Sequence, residues 1–210
     1  NRRVKMSGIF VTGTDTDVGK TWVTTHLLKR LRETGLNAAG MKPIECGSRE
    51  DAEAILKASG NTTLTLNQIN PVSIPEPLAP VASTMTEAIS FDQIQSAYKT
   101  LQSTSDFVIV EGAGGWLVPV DTERTMADLV KCLKLPVLIV AANRIGVLNH
   151  TLLTVQSIEL MGLTCAGVFL NTINPDIDAS QSSNAVILRK VLTKIPVFDG
   201  DIPELAASIV

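Results

Sequence analysis

The segment Thr12-Gly13-Thr14-Asp15-Thr16-Asp17-Val18-Gly19-Lys20-Thr21 puts a glycine-bounded loop ahead of a lysine and a hydroxyl residue. Between a strand and a helix, such a loop aims backbone N–H groups and a helix N-terminus at phosphates. Lys20 would contact the β- and γ-phosphates, and the Thr21 hydroxyl would ligate Mg²⁺. Five residues separate Gly13 from Gly19, where the common form has four. Gly-Lys-Thr alone could mark an ordinary turn. Its position after a first apolar strand and before an amphipathic helix makes it a phosphate loop.

A magnesium site needs more oxygen ligands than one threonine. Glu111 directly follows the apolar run Phe107-Val108-Ile109-Val110 and opens Glu111-Gly112-Ala113-Gly114-Gly115-Trp116, whose glycines permit close approach to a ligand. A carboxylate at the end of a buried strand is costly unless paired, so metal or phosphate chemistry is the reading, with a structural salt bridge as its rival. Asp51 opens a helix, where it could serve the metal or merely complement the macrodipole. Lys42, after the second strand, could be catalytic or a surface charge. Asp15 and Asp17 lie inside the loop, where negative charge is unhelpful unless it faces metal, amine or solvent.

These residues need a frame. Gly8 to Val11, Ala38 to Met41, Phe107 to Val110, Pro136 to Ala142 and Ala166 to Leu170 read as strands, with Ile195 to Val197 as a short edge strand. Helices are expected at Lys20 to Glu33, with Trp22, Val23, Leu27, Leu28 and Leu31 on one face, at Glu50 to Ser59, at Phe91 to Gln102, and near 125–134, 147–161 and 181–193. Residues 61–90, with four prolines within ten positions, read as an ordered loop or lid. Strands apolar on both faces and alternating with helices predict an α/β fold: one mostly parallel sheet covered on both sides, spanning 1–210 as a single domain. Ligands then bind beyond the carboxyl ends of the strands, where Gly13 to Thr21, Lys42, Glu111 to Gly115, Asn143 and Asn171 collect.

Bulk properties narrow the function. The chain is 45% hydrophobic and 19% charged, with net charge -3 and a pI near 5.4, which argues against nucleic acid or an anionic membrane as partner. No apolar run approaches the roughly 18 to 20 residues needed to cross a bilayer. Asn1 to Met6 does not read as a signal peptide; Met6 could be the natural start, with Asn1 to Lys5 an upstream or vector-derived extension. Three cysteines without metal spacing suggest free thiols in a cytoplasmic protein, with Cys132 and Cys165 in the core.

Taken together, the phosphate loop with its internal Asp-Thr-Asp, Lys42-Pro43 with Gly47, and Val110-Glu111-Gly112-Ala113-Gly114-Gly115-Trp116 resemble dethiobiotin synthetase. Leu135-Pro136-Val137, Gly146 with Asn149-His150, and Asn171 extend the similarity over about residues 8 to 205. The resemblance implies a homodimer with a P-loop NTPase-like fold. It would close a cyclic urea on 7,8-diaminopelargonic acid with CO₂, ATP and Mg²⁺, through a carbamate and a carbamic–phosphoric anhydride. It implies Thr21, Asp51 and Glu111 around the metal, Lys20 and Lys42 as catalytic cations, and Lys42 on the carbamate. Asp17, Val18, Gly19, Trp22, Gly112, Ala113, Gly114, Asn171, Thr172 and the segment Pro203-Glu204-Leu205 would meet the nucleotide. Thr16 and Cys46 would meet the diamine, and Gly146, Val147, Leu148 and Asn149 of the second subunit its carboxylate tail.

Cys46 departs from the family's usual Ser or Thr, and a thiol is a weaker donor. The chain also ends at Val210, soon after the segment implied to close over the base. The alternative reading is a dimeric switch ATPase of the partitioning type, which would carry a lysine where Asp15 stands. A cobalamin-type amide ligase would need a further glutamine-hydrolysing domain, and a nucleotide-sensing module would turn ATP over without a diamine.

Overall fold

A computed structural model describes residues 6–86, 89–173 and 179–210; the expected N-terminal extension, Asn1 to Lys5, lies outside them. The main sheet is built from β1 (Gly8–Gly13), β2 (Ala38–Met41), β5 (Phe107–Gly115), β6 (Val137–Ala142), β7 (Cys165–Asn171) and β8 (Val197–Asp199), in the order β2-β5-β1-β6-β7-β8. Every pairing in it is parallel, with Val11 opposite Glu111 and Phe10 opposite Val137. Phe10, Val108, Ile109, Leu138, Ile139, Val168 and Phe169 have no exposed surface. Strands this apolar on both faces are stable only when helices cover both sides.

The chain winds accordingly. From β1, α1 (Lys20–Glu33) carries it leftward to β2. The rightward crossovers use α4 (Phe91–Thr104), α5 (Met126–Leu133), α6 (Val147–Leu160) and α7 (Gln181–Val191), which right-handedness puts on the other face. Beside α1 pack α2 (Glu50–Ser59) and the C-terminal α8 (Ile202–Ile209). From α1, Val23, Leu27, Leu28 and Leu31 are fully buried, each worth roughly 1.5–3 kcal/mol relative to exposure. None of the described helices is long and apolar enough to cross a membrane.

Several expectations need correction. Residues 61–90 are not loop throughout: they contain α3 (Leu66–Ile69), started by a Thr65/Gln68 capping box, and β4 (Val72–Ile74). β4 pairs in parallel with β3 (Ile44–Cys46) in a separate two-stranded sheet. β5 runs on through the glycines to Gly115. The last strand begins at Val197, after Pro196, because proline cannot donate to the ladder. Trp22 leaves the buried face of α1: it is 45% exposed and stacks on His26. Cys132 and Cys165 are half-buried rather than core, and all three cysteines are free.

Candidate active site

The phosphate loop joins β1 to α1, and its shape depends on one glycine. Gly19 has φ +88°, and a Cβ there would collide with the Asn171 amide. Asn171, at the end of β7, donates from Nδ2 to the Val18 carbonyl at 3.0 Å, so the loop is latched across two strands. Behind it, Thr14 N donates to Val140 O at 3.0 Å. Lys20 is buried, and its Nζ donates to the Asp15 carbonyl at 3.3 Å.

A charged cluster lies beside the loop. Lys42 Nζ is 2.7 Å from Glu111 Oε1 and 2.8 Å from Asp51 Oδ2. Thr21 Oγ1 donates to the same Glu111 oxygen at 2.8 Å. Glu111 has no exposed surface, and its other oxygen, Oε2, has no hydrogen-bond partner. Burial would depress the Lys42 ammonium, but Glu111 and Asp51 outweigh it and hold Lys42 above the ordinary lysine value. Lys20 goes the other way: burial and the Lys42 charge push it down, and the nearby carboxylates offset this only in part. Burial alone would raise the Asp51 carboxyl, yet Lys42 pulls it below the usual range.

Two buried ammonium groups that repel each other are poised for an anion. A phosphate between Lys20 and Lys42 would relieve their repulsion and replace lost hydration. The donor set also suits a hard cation. The partnerless Glu111 Oε2, the Thr21 hydroxyl and the half-exposed Asp51 carboxylate are all oxygens, as Mg²⁺ demands. Among the described residues no group of three His, Cys, Asp or Glu forms a self-sufficient metal cage. That fits Mg²⁺, which usually takes one or two carboxylates and completes its shell with phosphate oxygens and water.

The cleft above this cluster holds about 520 Å³. It brings together Thr16, Asp17, Gly19, Lys20, Thr21, Lys42, Cys46, Asp51, Ala113 and Gly114. Glu111 lies out of solvent at their centre. Gly112 packs against the Phe10 ring, where a Cβ would sit 2.9 Å from it, and Gly114 has φ +64°. These glycines let β5 approach the phosphate loop closely.

Other expected residues are not brought into this cleft. Thr172 accepts a hydrogen bond from Asn143 Nδ2 at 3.2 Å, beyond Asn171. Trp22 points to solvent. Pro203, Glu204 and Leu205 form the first turn of α8, capped by Asp201 Oδ1, which accepts from Glu204 N at 2.8 Å. Leu205 is fully buried. Gly146, with φ +89°, starts α6, followed by Val147, Leu148 and Asn149; the four lie at the same sheet edge but line no wall of their own chain's cleft. Glu45, Glu50 and the stretch Pro77–Pro80 line it unexpectedly. Glu45 carried no local signal, since its partners are backbone N–H groups; Pro77–Pro80 lie in the proline-rich segment expected as an ordered loop or lid.

This fold and this loop define the class: an α/β protein that binds a nucleoside triphosphate through a P-loop. A family model described as "AAA domain" matches residues 7–209. ATP-dependent dethiobiotin synthetase BioD of Akkermansia muciniphila is 41% identical over 181 residues, 85% of this chain and 84% of that protein. The protein of the same name from Anaeromyxobacter dehalogenans is 42% identical over 198 residues, 91% of this chain and 88% of its own length. The chain belongs to the ATP-dependent dethiobiotin synthetase family, a family of ligases. Among solved structures, the MinC:MinD cell division complex of Aquifex aeolicus aligns with TM-score 0.59 at 14% identity, covering 97% of this chain and 84% of that one. MinD of Pyrococcus horikoshii with Mg-ADP gives 0.56 at 14%, covering 97% and 85%. At that identity the likeness establishes the shared fold only.

Proposed function

We propose that the chain, acting over its whole length as one catalytic unit, makes dethiobiotin from 7,8-diaminopelargonic acid, CO₂ and ATP. One amine of the diamine adds to CO₂ and loses a proton, giving a carbamate. A carbamate oxygen attacks the γ-phosphorus of ATP, forming a carbamic–phosphoric anhydride and releasing ADP. The neighbouring amine attacks the carbonyl carbon, expels phosphate and closes the cyclic urea.

The observation that carries this reading is the pair of buried ammonium groups, Lys20 from the phosphate loop and Lys42 from the end of β2, both opening on one cleft. Carbamate and transferring phosphoryl are both anionic, and fixed cations on either side stabilise the charge that develops. Lys20 would hold the β- and γ-phosphates, and Lys42 the carbamate. Thr21, Asp51 and Glu111 would hold Mg²⁺, which would neutralise the charge that develops on the phosphates. Thr16 and Cys46 would contact the diamine, and Asn171, already against the loop, would face the adenine. The N-terminus of α6 in a second copy, Gly146 to Asn149, suits the substrate's carboxylate tail, which makes a homodimer the working unit. A cytoplasmic setting accords with three free thiols.

The switch-ATPase alternative is disfavoured at Asp15. Where such proteins would present a lysine, this carboxylate faces Arg144 at 3.6 Å. Incubation with ¹⁴C-bicarbonate, ATP, Mg²⁺ and the diamine tests the proposal. Label should appear in an acid-stable cyclic urea; label only in acid-labile carbamate would refute ring closure.

A further inference from the structure

Glu45 is a buried carboxylate that the proposed reaction does not use. It lies in β3, is 5% exposed, and opens on the cleft. Among the described residues no lysine or arginine reaches it as an ion pair. Its partners are backbone: Oε1 accepts from Asp51 N at 2.9 Å and Oε2 from Ala52 N at 3.0 Å.

Those donors belong to the first turn of α2, whose N–H groups have no partners within the helix. The residue before the helix, Arg49, gives no side-chain cap; its guanidinium is turned to Asn70 and Asn67. Glu45 therefore supplies from a neighbouring strand what a Ser, Thr or Asp cap supplies locally. Its charge also lies at the positive end of the helix dipole. The capped residue is Asp51 itself, whose carboxylate meets Lys42 at 2.8 Å. The clamp is rigid at its base, because β3 pairs with β4, Glu45 opposite Ser73. Asn70 Nδ2, just before β4, donates to the Lys42 carbonyl at 2.7 Å.

We propose that Glu45 is a positioning residue, which holds the backbone of Asp51 so that its carboxylate faces Lys42 and the candidate magnesium site. The inference rests on reading the cleft as an ATP and Mg²⁺ site. Partners that orient a metal ligand typically affect metal affinity by about 10- to 100-fold.

The test compares Mn²⁺ binding, read by electron paramagnetic resonance with ADP present, in wild type, Glu45→Ala and Glu45→Gln, alongside melting curves and steady-state kinetics. Glu45→Ala should bind Mn²⁺ about tenfold more weakly or worse. It should lower kcat while leaving the KM for the diamine within about twofold, since the substrate contacts are untouched. Glu45→Gln, which keeps one acceptor oxygen, should fall between, and serves alone if the alanine variant does not fold. A folded variant with wild-type Mn²⁺ affinity and only a lowered melting point would overturn the proposal and leave Glu45 a plain helix cap. Diamine-independent ATP hydrolysis by the wild type would refute the ligase reading separately, without altering the Mn²⁺ comparison.

Discussion

Lys42 and Glu111 form an ion pair at 2.7 Å in which the carboxylate has no exposed surface and the lysine side chain has 4%. Charges so placed are expensive to bury, and removing one partner strands the other. The pair thus joins stability to chemistry: the ammonium that would hold the carbamate also neutralises a would-be metal ligand.

Lys42→Ala and Lys20→Ala should consequently differ in stability though both lose turnover. Removing Lys42 leaves Glu111 with the Thr21 hydroxyl alone, at a cost of up to about 3–5 kcal/mol, and should lower turnover by about 10² to 10³. Removing Lys20 relieves repulsion with Lys42, so its melting point should equal or exceed that of the wild type. Thermal melts with single-turnover assays check both. A strongly destabilised Lys20→Ala would contradict the electrostatic assignment.

Glu111→Gln keeps size and an acceptor but removes the charge and one of the oxygens suited to Mg²⁺. Half-maximal activity should then need at least about tenfold more Mg²⁺. A magnesium titration unchanged from wild type would make Glu111 purely structural.

Burial pushes the half-buried Cys165 thiol up to about 11, against about 8.5 for a free cysteine. The folded state therefore keeps its proton after the unfolded chain has lost it. Stability from this source is complete below about pH 8.5 and is lost as pH rises toward 11. Melting temperatures taken from pH 8 to 11 should fall less steeply for Cys165→Ala; parallel curves would exclude this contribution.

Much of this frame was legible because burial leaves a plain signature. β1, β5, β6 and β7 are apolar on both faces, and the phosphate loop sits where β1 meets α1. The misses have physical causes. β3 and β4 are three residues each, stable only through one another, and Pro71 and Pro75 flank β4, so neither looks like a strand locally. No helix was expected after residue 193, although Pro203 in the first turn of α8 is a helix-start signal. Trp22 stands one position from Val23, 100° around α1, enough to move it from core to solvent. At the site, Lys42, Asp51 and Glu111 were each visible. That they share one sheet edge was expected; the direct ion pairs of Lys42 with both carboxylates were not, since Lys42 and Glu111 stand 69 positions apart and their separation is set by the parallel pairing of β2 with β5. Glu45 went unremarked because its partners are backbone N–H groups, which no residue pattern displays.

ADP release by the purified protein shows whether ATP is consumed to close a ring on a diamine. With ATP and Mg²⁺ present, release should require both bicarbonate and 7,8-diaminopelargonic acid, and should match dethiobiotin formed one for one. An equal rate of ADP release with and without the diamine would show that ATP is not spent on ring closure.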